Sequence, residues 1–120
     1  MTASENSPAR IGNVLHPVTD VAAAASFYGR VFGFATKFTD GDRYAALDGG
    51  SITLALAGPA EDVTGGRAAA SIKVPDVLAA VEDVVREGGS IVRAPEEGPH
   101  ERRAVVLDPW ENTLVIYGPL

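Results

Sequence analysis

Few side chains in this sequence could carry acid–base, nucleophilic or metal chemistry. His16 and His100 are the only two histidines, and the sequence contains no cysteine. The absence of cysteine excludes disulfides, thiolate-bound zinc, iron–sulfur clusters and cysteine nucleophiles. His100 lies in a polar stretch that is typical of a solvent-exposed loop. His16 follows Asn13 by three residues in a predicted strand, so the alternation of side chains places it on the opposite, helix-facing side, where we interpret it as a structural residue.

The other candidates for a general acid or base are Tyr44, Tyr117, Lys73 and Glu111. No pair among them has the local spacing of a nucleophile and its base. The glycine pairs at 49–50 and 65–66 do not lie between a strand and a helix, so no phosphate-binding loop of the nucleotide-binding kind is predicted. The catalytic residues, if any exist, are therefore unknown at this point.

Length and composition describe one ordinary globular domain. The 120 residues are 46% hydrophobic and 22% charged, which is enough for one core. The net charge of −6 argues against nucleic acid and anionic membranes as partners, because both favour basic surfaces. No apolar run is long enough to span a bilayer, and the lack of cysteine is compatible with the cytoplasm, where we expect the protein. Residues 1–10 are polar and are predicted to form a flexible N-terminal tail.

The elements that must position these residues form a pattern that occurs twice. Residues 11–57 are predicted to form a strand, a helix capped by Asp20 and ended by Gly33, and three further strands. Residues 58–67 are predicted to form a linker. Residues 68–118 repeat the order, with Asp76 as the cap, Gly88 and Gly89 as the end of the helix, and a strand near Ser90–Arg93 after it. Both pairs, Asp20 with Asp76 and Gly33 with Gly89, are offset by 56 positions, which indicates two similar modules within one domain of residues 11–120.

Several short motifs occur in a fixed order along these modules: Val18-x-Asp20, Phe27-Tyr28, Gly33-Phe34 and Asp108-Pro109-x-x-Asn112. Together they resemble the vicinal oxygen chelate (VOC) superfamily, which includes glyoxalase I, bleomycin-resistance proteins and extradiol dioxygenases. The resemblance implies an α+β fold in which two βαβββ modules form a curved mixed sheet around a concave pocket, with the helices on the outer face. The apolar stripe of the first helix, Phe27, Tyr28, Val31 and Phe32, is then expected to pack into the core.

The resemblance also implies where a metal would lie. Metal-using members supply one ligand, usually His, Gln or Glu, from the first and last strand of each module, and the matching positions here are Asn13, Ala55, Ala69 and Val115. Three of the four are aliphatic, and their neighbours offer no imidazole or carboxylate. We therefore predict no metal site and no cofactor. The chain also departs from the family pattern at Trp110 and Glu111, where relatives have a small polar residue and glycine.

A concave face without metal ligands is expected to be a small-molecule pocket with a few polar groups. The leading hypothesis is a metal-independent binding or sequestration protein of the glyoxalase/bleomycin-resistance type, acting on an apolar or aromatic ligand as a homodimer. The alternatives are a VOC-type lyase, isomerase or dioxygenase that is metal-free or has an atypical metal site, and an interaction module whose own side chains fill the cup. The ligand itself, and whether modules pair within a chain or between chains, stay open. The predicted ligand-binding residues are Asn13, Phe38, Tyr44, Thr53, Ser71, Lys73, Arg103, Trp110 and Tyr117.

Overall fold

The structure is a computed structural model that describes residues 8–120. Most of the predicted tail, residues 1–7, lies outside the described residues. Arg10, which the sequence analysis assigns to the tail, is the first residue of strand β1. None of the helices in the described part of the chain is long and apolar enough to cross a membrane.

Eight strands and two helices follow one another along residues 8–120, in the order βαβββ and then βαβββ again. This confirms the predicted α+β class and the duplicated order. The chain divides into two compact units, Asn13–Ala70 (the first unit) and Ser71–Leu120 together with residues 8–12 (the second unit). The elements are β1 Arg10–Pro17, α1 Val21–Phe32, β2 Thr36–Asp40, β3 Tyr44–Asp48, β4 Thr53–Ala57, β5 Ala69–Lys73, α2 Val77–Arg86, β6 Ser90–Glu97, β7 Arg102–Leu107 and β8 Thr113–Gly118.

In the first unit the strands run in the order β2-β3-β4-β1, with β1 parallel to β4 and the other pairs antiparallel. Helix α1 covers one face of this sheet. The core between them consists of buried branched side chains and alanine, which fit a close-packed helix–sheet contact. Its buried members are Val21, Ala45, Leu47, Leu54 and Leu56.

Helix α1 begins and ends where the sequence predicts. The Asp20 carboxylate accepts a hydrogen bond from the Ala23 amide at 3.0 Å, which satisfies one of the free amides of the first turn. Gly33 ends the helix with φ of 74°, a left-handed conformation that glycine adopts without a Cβ penalty.

The expected apolar stripe of α1 packs only in part. Tyr28 packs against the core, whereas Phe27, Val31 and Phe32 are about half exposed or more. The expectation that all four fill the core is wrong. The residues that do face the sheet recur at positions 21, 24, 25 and 28, a helical face that spans about two turns. Phe27 and Val31 lie four residues apart on a neighbouring face.

In the second unit the strands run in the order β5-β8-β7-β6. Helix α2 starts at an Asp76 cap, whose carboxylate accepts from the Ala79 amide at 3.0 Å. The predicted offset of 56 positions between the two helix caps, Asp20 and Asp76, is therefore confirmed. The helix ends earlier than its counterpart, because Glu87 is the C-cap and Gly88, rather than Gly89, takes the left-handed conformation with φ of 103°. The buried core against α2 is Val74, Val77, Val81, Ala104, Val106 and Ile116.

Strand β6 is longer than the sequence predicts and extends to Glu97 instead of Arg93. It contains Pro95, which cannot donate to a strand ladder. The position is tolerated because β6 lies at the edge of its unit's strand order and its pairing with β7 shifts register between Arg93 and Glu96. An ion pair between Arg102 and Glu97 at 2.7 Å joins the two strands next to the loop that connects them.

Candidate functional site

The sheet of the first unit has one face opposite α1. Val14, Leu47 and Leu54 pack toward α1, so the alternation of strand side chains places Asn13, Asp48 and Thr53 on the other side. Register fixes their neighbours, because Asn13 lies beside Thr53 across β1 and β4, and Thr53 lies beside Asp48 across β4 and β3. These three residues form a polar row at one end of the face opposite α1.

Lys37 joins the polar row from the neighbouring strand β2. Its ammonium donates a hydrogen bond to Thr53 Oγ1 at 2.5 Å. The pairing of β2 with β3 shifts register between Thr36 and Phe38, and such an irregularity re-aims the side chain at the bulge. Lys37 therefore reaches the same face as Phe38, although strict alternation would send the two to opposite faces. Lys37 is absent from the predicted ligand-binding residues, because side-chain alternation alone does not reveal this irregularity.

Asn13 is the unusual member of the row. Its amide oxygen Oδ1 is shielded from solvent and has no hydrogen-bond partner among residues 8–120. Buried side-chain acceptors in proteins are normally satisfied, and an unsatisfied one costs about 1–3 kcal/mol. The amide is thus an acceptor for which the described part of the chain supplies no donor.

Next to the polar row lies an apolar row of small residues with an aromatic edge. Phe38 lies beside Ala46, Ala46 beside Ala55, and Ala55 beside Leu15. The two alanines and Leu15 are buried, whereas Phe38 is 58% exposed. The Phe38 and Tyr44 rings are 6.3 Å apart and tilted by 51°. Four of the predicted ligand-binding residues, Asn13, Phe38, Tyr44 and Thr53, therefore share the face opposite α1.

Four other predicted residues share one face in the second unit. Ile72, Ala104 and Ile116 pack toward α2, and their strand neighbours take the face opposite α2. Arg103 lies directly beside Tyr117 in the β7–β8 pair. Ser71 is buried and Lys73 is exposed. The residues on this face are Ser71, Lys73, Arg103 and Tyr117.

Trp110 lies in the turn between β7 and β8 and is 80% exposed. Asp108 organises this turn. One carboxylate oxygen accepts from the backbone amides of Trp110 and Asn112, both at 2.9 Å, and the other accepts from the Asn112 side-chain amide at 2.9 Å. The exposed indole is thus carried by a turn with a well-defined hydrogen-bond network.

The same hydrogen bonds, first those from Asn112 and then that from Trp110, lower the pKa of Asp108 below its ordinary value. A carboxyl whose pKa is lower in the folded state stabilises the fold above its unfolded pKa of about 3.9 and loses that contribution as pH falls through the folded value. We therefore expect Asp108→Asn to be less stable than the wild type at pH 7 and to lose less stability between pH 5 and pH 3. Urea unfolding across that range measures both, and parallel pH profiles would contradict the assignment.

Glu111 has a left-handed backbone with φ of 68°, at the position where the family pattern has glycine. A residue with a Cβ pays about 1–2 kcal/mol for this conformation. We expect Glu111→Gly to stabilise the protein by about 1 kcal/mol in chemical unfolding, since removal of the strain outweighs the added freedom of the unfolded chain. Glu111→Ala keeps the Cβ and serves as the control that should gain nothing. Equal effects of the two substitutions would show that the backbone conformation is not the cause.

The two histidines have different surroundings. His16 faces α1, with Nδ1 3.3 Å from the Tyr28 hydroxyl, which agrees with a structural role. His100 is exposed between β6 and β7. Within residues 8–120 no three His, Asp or Glu side chains are grouped as metal ligands. The donor set at Asn13, Ala55, Ala69 and Val115 offers one amide and three aliphatic side chains, which do not fit the metal of the VOC enzymes.

Two βαβββ units, each with one helix against its sheet, define the fold class of the chain. The sequence profile described as the Glyoxalase/Bleomycin resistance protein/Dioxygenase superfamily matches residues 10–116. The chain belongs to this superfamily, which confirms the resemblance found in the sequence motifs.

One relative and two solved structures show how far the similarity extends. A protein of Mycolicibacterium smegmatis (strain ATCC 700084 / mc(2)155), described as uncharacterized, is 48% identical over 94 residues, which are 78% of this chain and 80% of the relative. A superfamily member from Vibrio splendidus 12B01 has a TM-score of 0.67 at 18% identity, covering 88% of this chain and 96% of its own. A Streptomyces coelicolor methylmalonyl-CoA epimerase variant in complex with 2-nitronate-propionyl-CoA has a TM-score of 0.68 at 20% identity, covering 92% and 96%. At these identities the two structures show a shared fold.

Proposed function

We propose that this protein binds and sequesters a small apolar or aromatic molecule without a metal ion. The observation that carries the proposal is the shielded, unpartnered amide oxygen of Asn13 on the face opposite α1. An unsatisfied buried acceptor destabilises the folded protein, whereas a ligand N–H or O–H at that point would satisfy it. Small-molecule sites typically combine a mostly apolar lining with a few placed polar groups of this kind.

The surroundings of Asn13 support binding more than catalysis. The buried side chains beside the polar row, Ala46, Ala55 and Leu15, are apolar, and the rings of Phe38 and Tyr44 provide aromatic surface at its edge. Three of the family's four metal positions carry aliphatic side chains, which have no lone pair to hold a metal ion that would act as a Lewis acid. Roles in ligand binding for Ser71, Lys73, Arg103, Tyr117 and Trp110 remain predictions of the sequence.

Thermal unfolding with a panel of flat aromatic compounds tests the proposal. A ligand that binds only the folded protein adds about 2.7 kcal/mol at 100 times its Kd, so at least one compound should raise the melting temperature in a concentration-dependent way. His100→Ala is a suitable control, because this exposed side chain lies in the loop between β6 and β7 and the shift should persist. Steady turnover of a compound by the wild-type protein, with no saturable shift, would support the enzyme alternative instead.

We further propose that the protein is a cytoplasmic homodimer. The exposed apolar side chains of α1, Phe27, Val31 and Phe32, are the kind of surface that self-association covers, and the absence of cysteine suits a reducing compartment. Sedimentation should give about twice the 12.4 kDa chain mass at micromolar concentration. A constant monomer mass up to high protein concentration would contradict the dimer.

A further inference from the structure

We infer that the ligand is an aromatic carboxylate with a hydroxyl or amino group on a neighbouring ring carbon, bound on the face opposite α1. This inference rests on the proposed function and adds the ligand's charge and substitution pattern to it. Three features of the first unit carry it: the Lys37 ammonium, the Phe38–Tyr44 ring pair and the Asn13 amide.

The charge follows from Lys37. Its side chain is exposed and anchored by one hydrogen bond to Thr53 Oγ1, which leaves further N–H donors on the ammonium. Ion pairs with carboxylates are formed by Arg43, Arg86, Arg93 and Arg102. Among residues 8–120 no carboxylate forms such a pair with Lys37.

Asp48, the acid that register places beside Thr53, forms no ion pair with Lys37. Asp48 accepts a hydrogen bond from the Gly50 amide at 2.9 Å and so caps its own turn. A fixed cation without a carboxylate partner, in a chain with a net charge of −6, is the group that an anionic ligand would recognise. With the Lys37–Thr53 hydrogen bond kept, a ligand carboxylate beside the two side chains can accept hydrogen bonds from the remaining ammonium N–H groups and from the Thr53 hydroxyl.

The aromatic part follows from the residue next to Lys37. The register shift at Thr36/Phe38 presents the Lys37 ammonium and the Phe38 ring on the same face. Phe38 is largely exposed and inclined to Tyr44 by 51°, and Ala46 beside it adds no bulk. A flat ring placed there gains apolar contact and ring–ring interaction, which favours aromatic over aliphatic acids.

The second substituent follows from Asn13. Adjacent strands lie about 4.8 Å apart, so a group held at Thr53 has the Asn13 amide within reach on the next strand. The unpartnered Oδ1 accepts hydrogen bonds, and the ligand must therefore bring an O–H or N–H. An aromatic ring with a carboxylate and a hydrogen-bond donor on neighbouring carbons matches these positions, with the carboxylate at Lys37 and Thr53 and the donor at Asn13.

Titration calorimetry with three probes tests the inference: 2-hydroxybenzoate, benzoate and the neutral 2-hydroxybenzamide. We expect 2-hydroxybenzoate to bind at least about tenfold more tightly than 2-hydroxybenzamide and about fivefold more tightly than benzoate, with affinity falling as salt is raised. Lys37→Met should remove the preference for the anion. Arg86→Gln, which removes one positive charge from the exposed end of α2, is the matched control and should keep it.

The outcomes separate the inference from the proposed function. Equal binding of the charged and neutral probes, or an unchanged preference in Lys37→Met, would overturn the anionic ligand while leaving small-molecule binding intact. If only neutral aromatic compounds from the wider panel bind, the anionic ligand is also overturned and small-molecule binding still stands. No binding of any aromatic compound, charged or neutral, would overturn both.

Discussion

Replacing Gly118 with alanine is expected to remove about 3 kcal/mol or more of folding stability. A Cβ at this position would lie 2.2 Å from the Val74 carbonyl oxygen and 3.3 Å from Val77 Cγ2. The obstacle is backbone, and it cannot move easily because the Val74 amide donates to the Tyr117 carbonyl at 2.9 Å in the same strand contact. The midpoint of urea unfolding measures the loss.

Gly29→Ala is the matched control for this substitution. Gly29 lies within α1, and its added Cβ would meet only the Phe34 carbonyl oxygen at an ordinary 3.6 Å. Alanine is preferred over glycine in helix interiors by about 0.5–1 kcal/mol, so this variant should be slightly more stable than the wild type. An unchanged midpoint for Gly118→Ala would show that β8 and the start of α2 are not packed as described.

Asn13→Leu is expected to raise the stability of the protein and to weaken ligand binding together. The substitution removes a shielded acceptor without a partner and replaces it with a side chain of similar size, which should add about 1–2 kcal/mol. The same change removes the group that the ligand donor would meet, so affinity should fall at least about tenfold. Chemical unfolding and titration calorimetry on one preparation measure both effects.

The equivalent substitution at Asn112 is the control. Its side-chain amide donates to Asp108 Oδ2 at 2.9 Å, so Asn112→Leu loses a used hydrogen bond and should be destabilising. If Asn13→Leu also lowers stability, the Asn13 amide is satisfied in solution and the argument for a ligand donor fails.

The parts of the fold that could be predicted from the sequence are those set by local chemistry. Asp20 and Asp76 were recognisable as caps because a short carboxylate accepts first-turn amides, and the structure shows both bonds. The edge strand β6 was underestimated because Pro95 and the following glutamates resemble a loop, although an edge position with shifted register accommodates them.

Some features of the candidate site could also be predicted from the sequence, and others could not. Alternation along strands and the ordering of modules were enough to predict that Asn13 and Thr53 share a face, and register places them side by side. The presence of Lys37 on this face could not be predicted, since the direction of its side chain depends on an irregularity in the β2–β3 pairing that has no local sequence pattern. The exposure of Phe27 depends on which helix face meets the sheet, a choice made by tertiary packing rather than by the stripe itself.

Metal independence of ligand binding is the central claim. The direct measurement is the Kd of 2-hydroxybenzoate, or of whichever panel compound binds, before and after exhaustive chelation, with metal content determined on the same samples. We expect the same Kd in both samples and far less than one metal ion per chain throughout. Loss of binding on chelation, with recovery on adding back one divalent cation per chain, would contradict it.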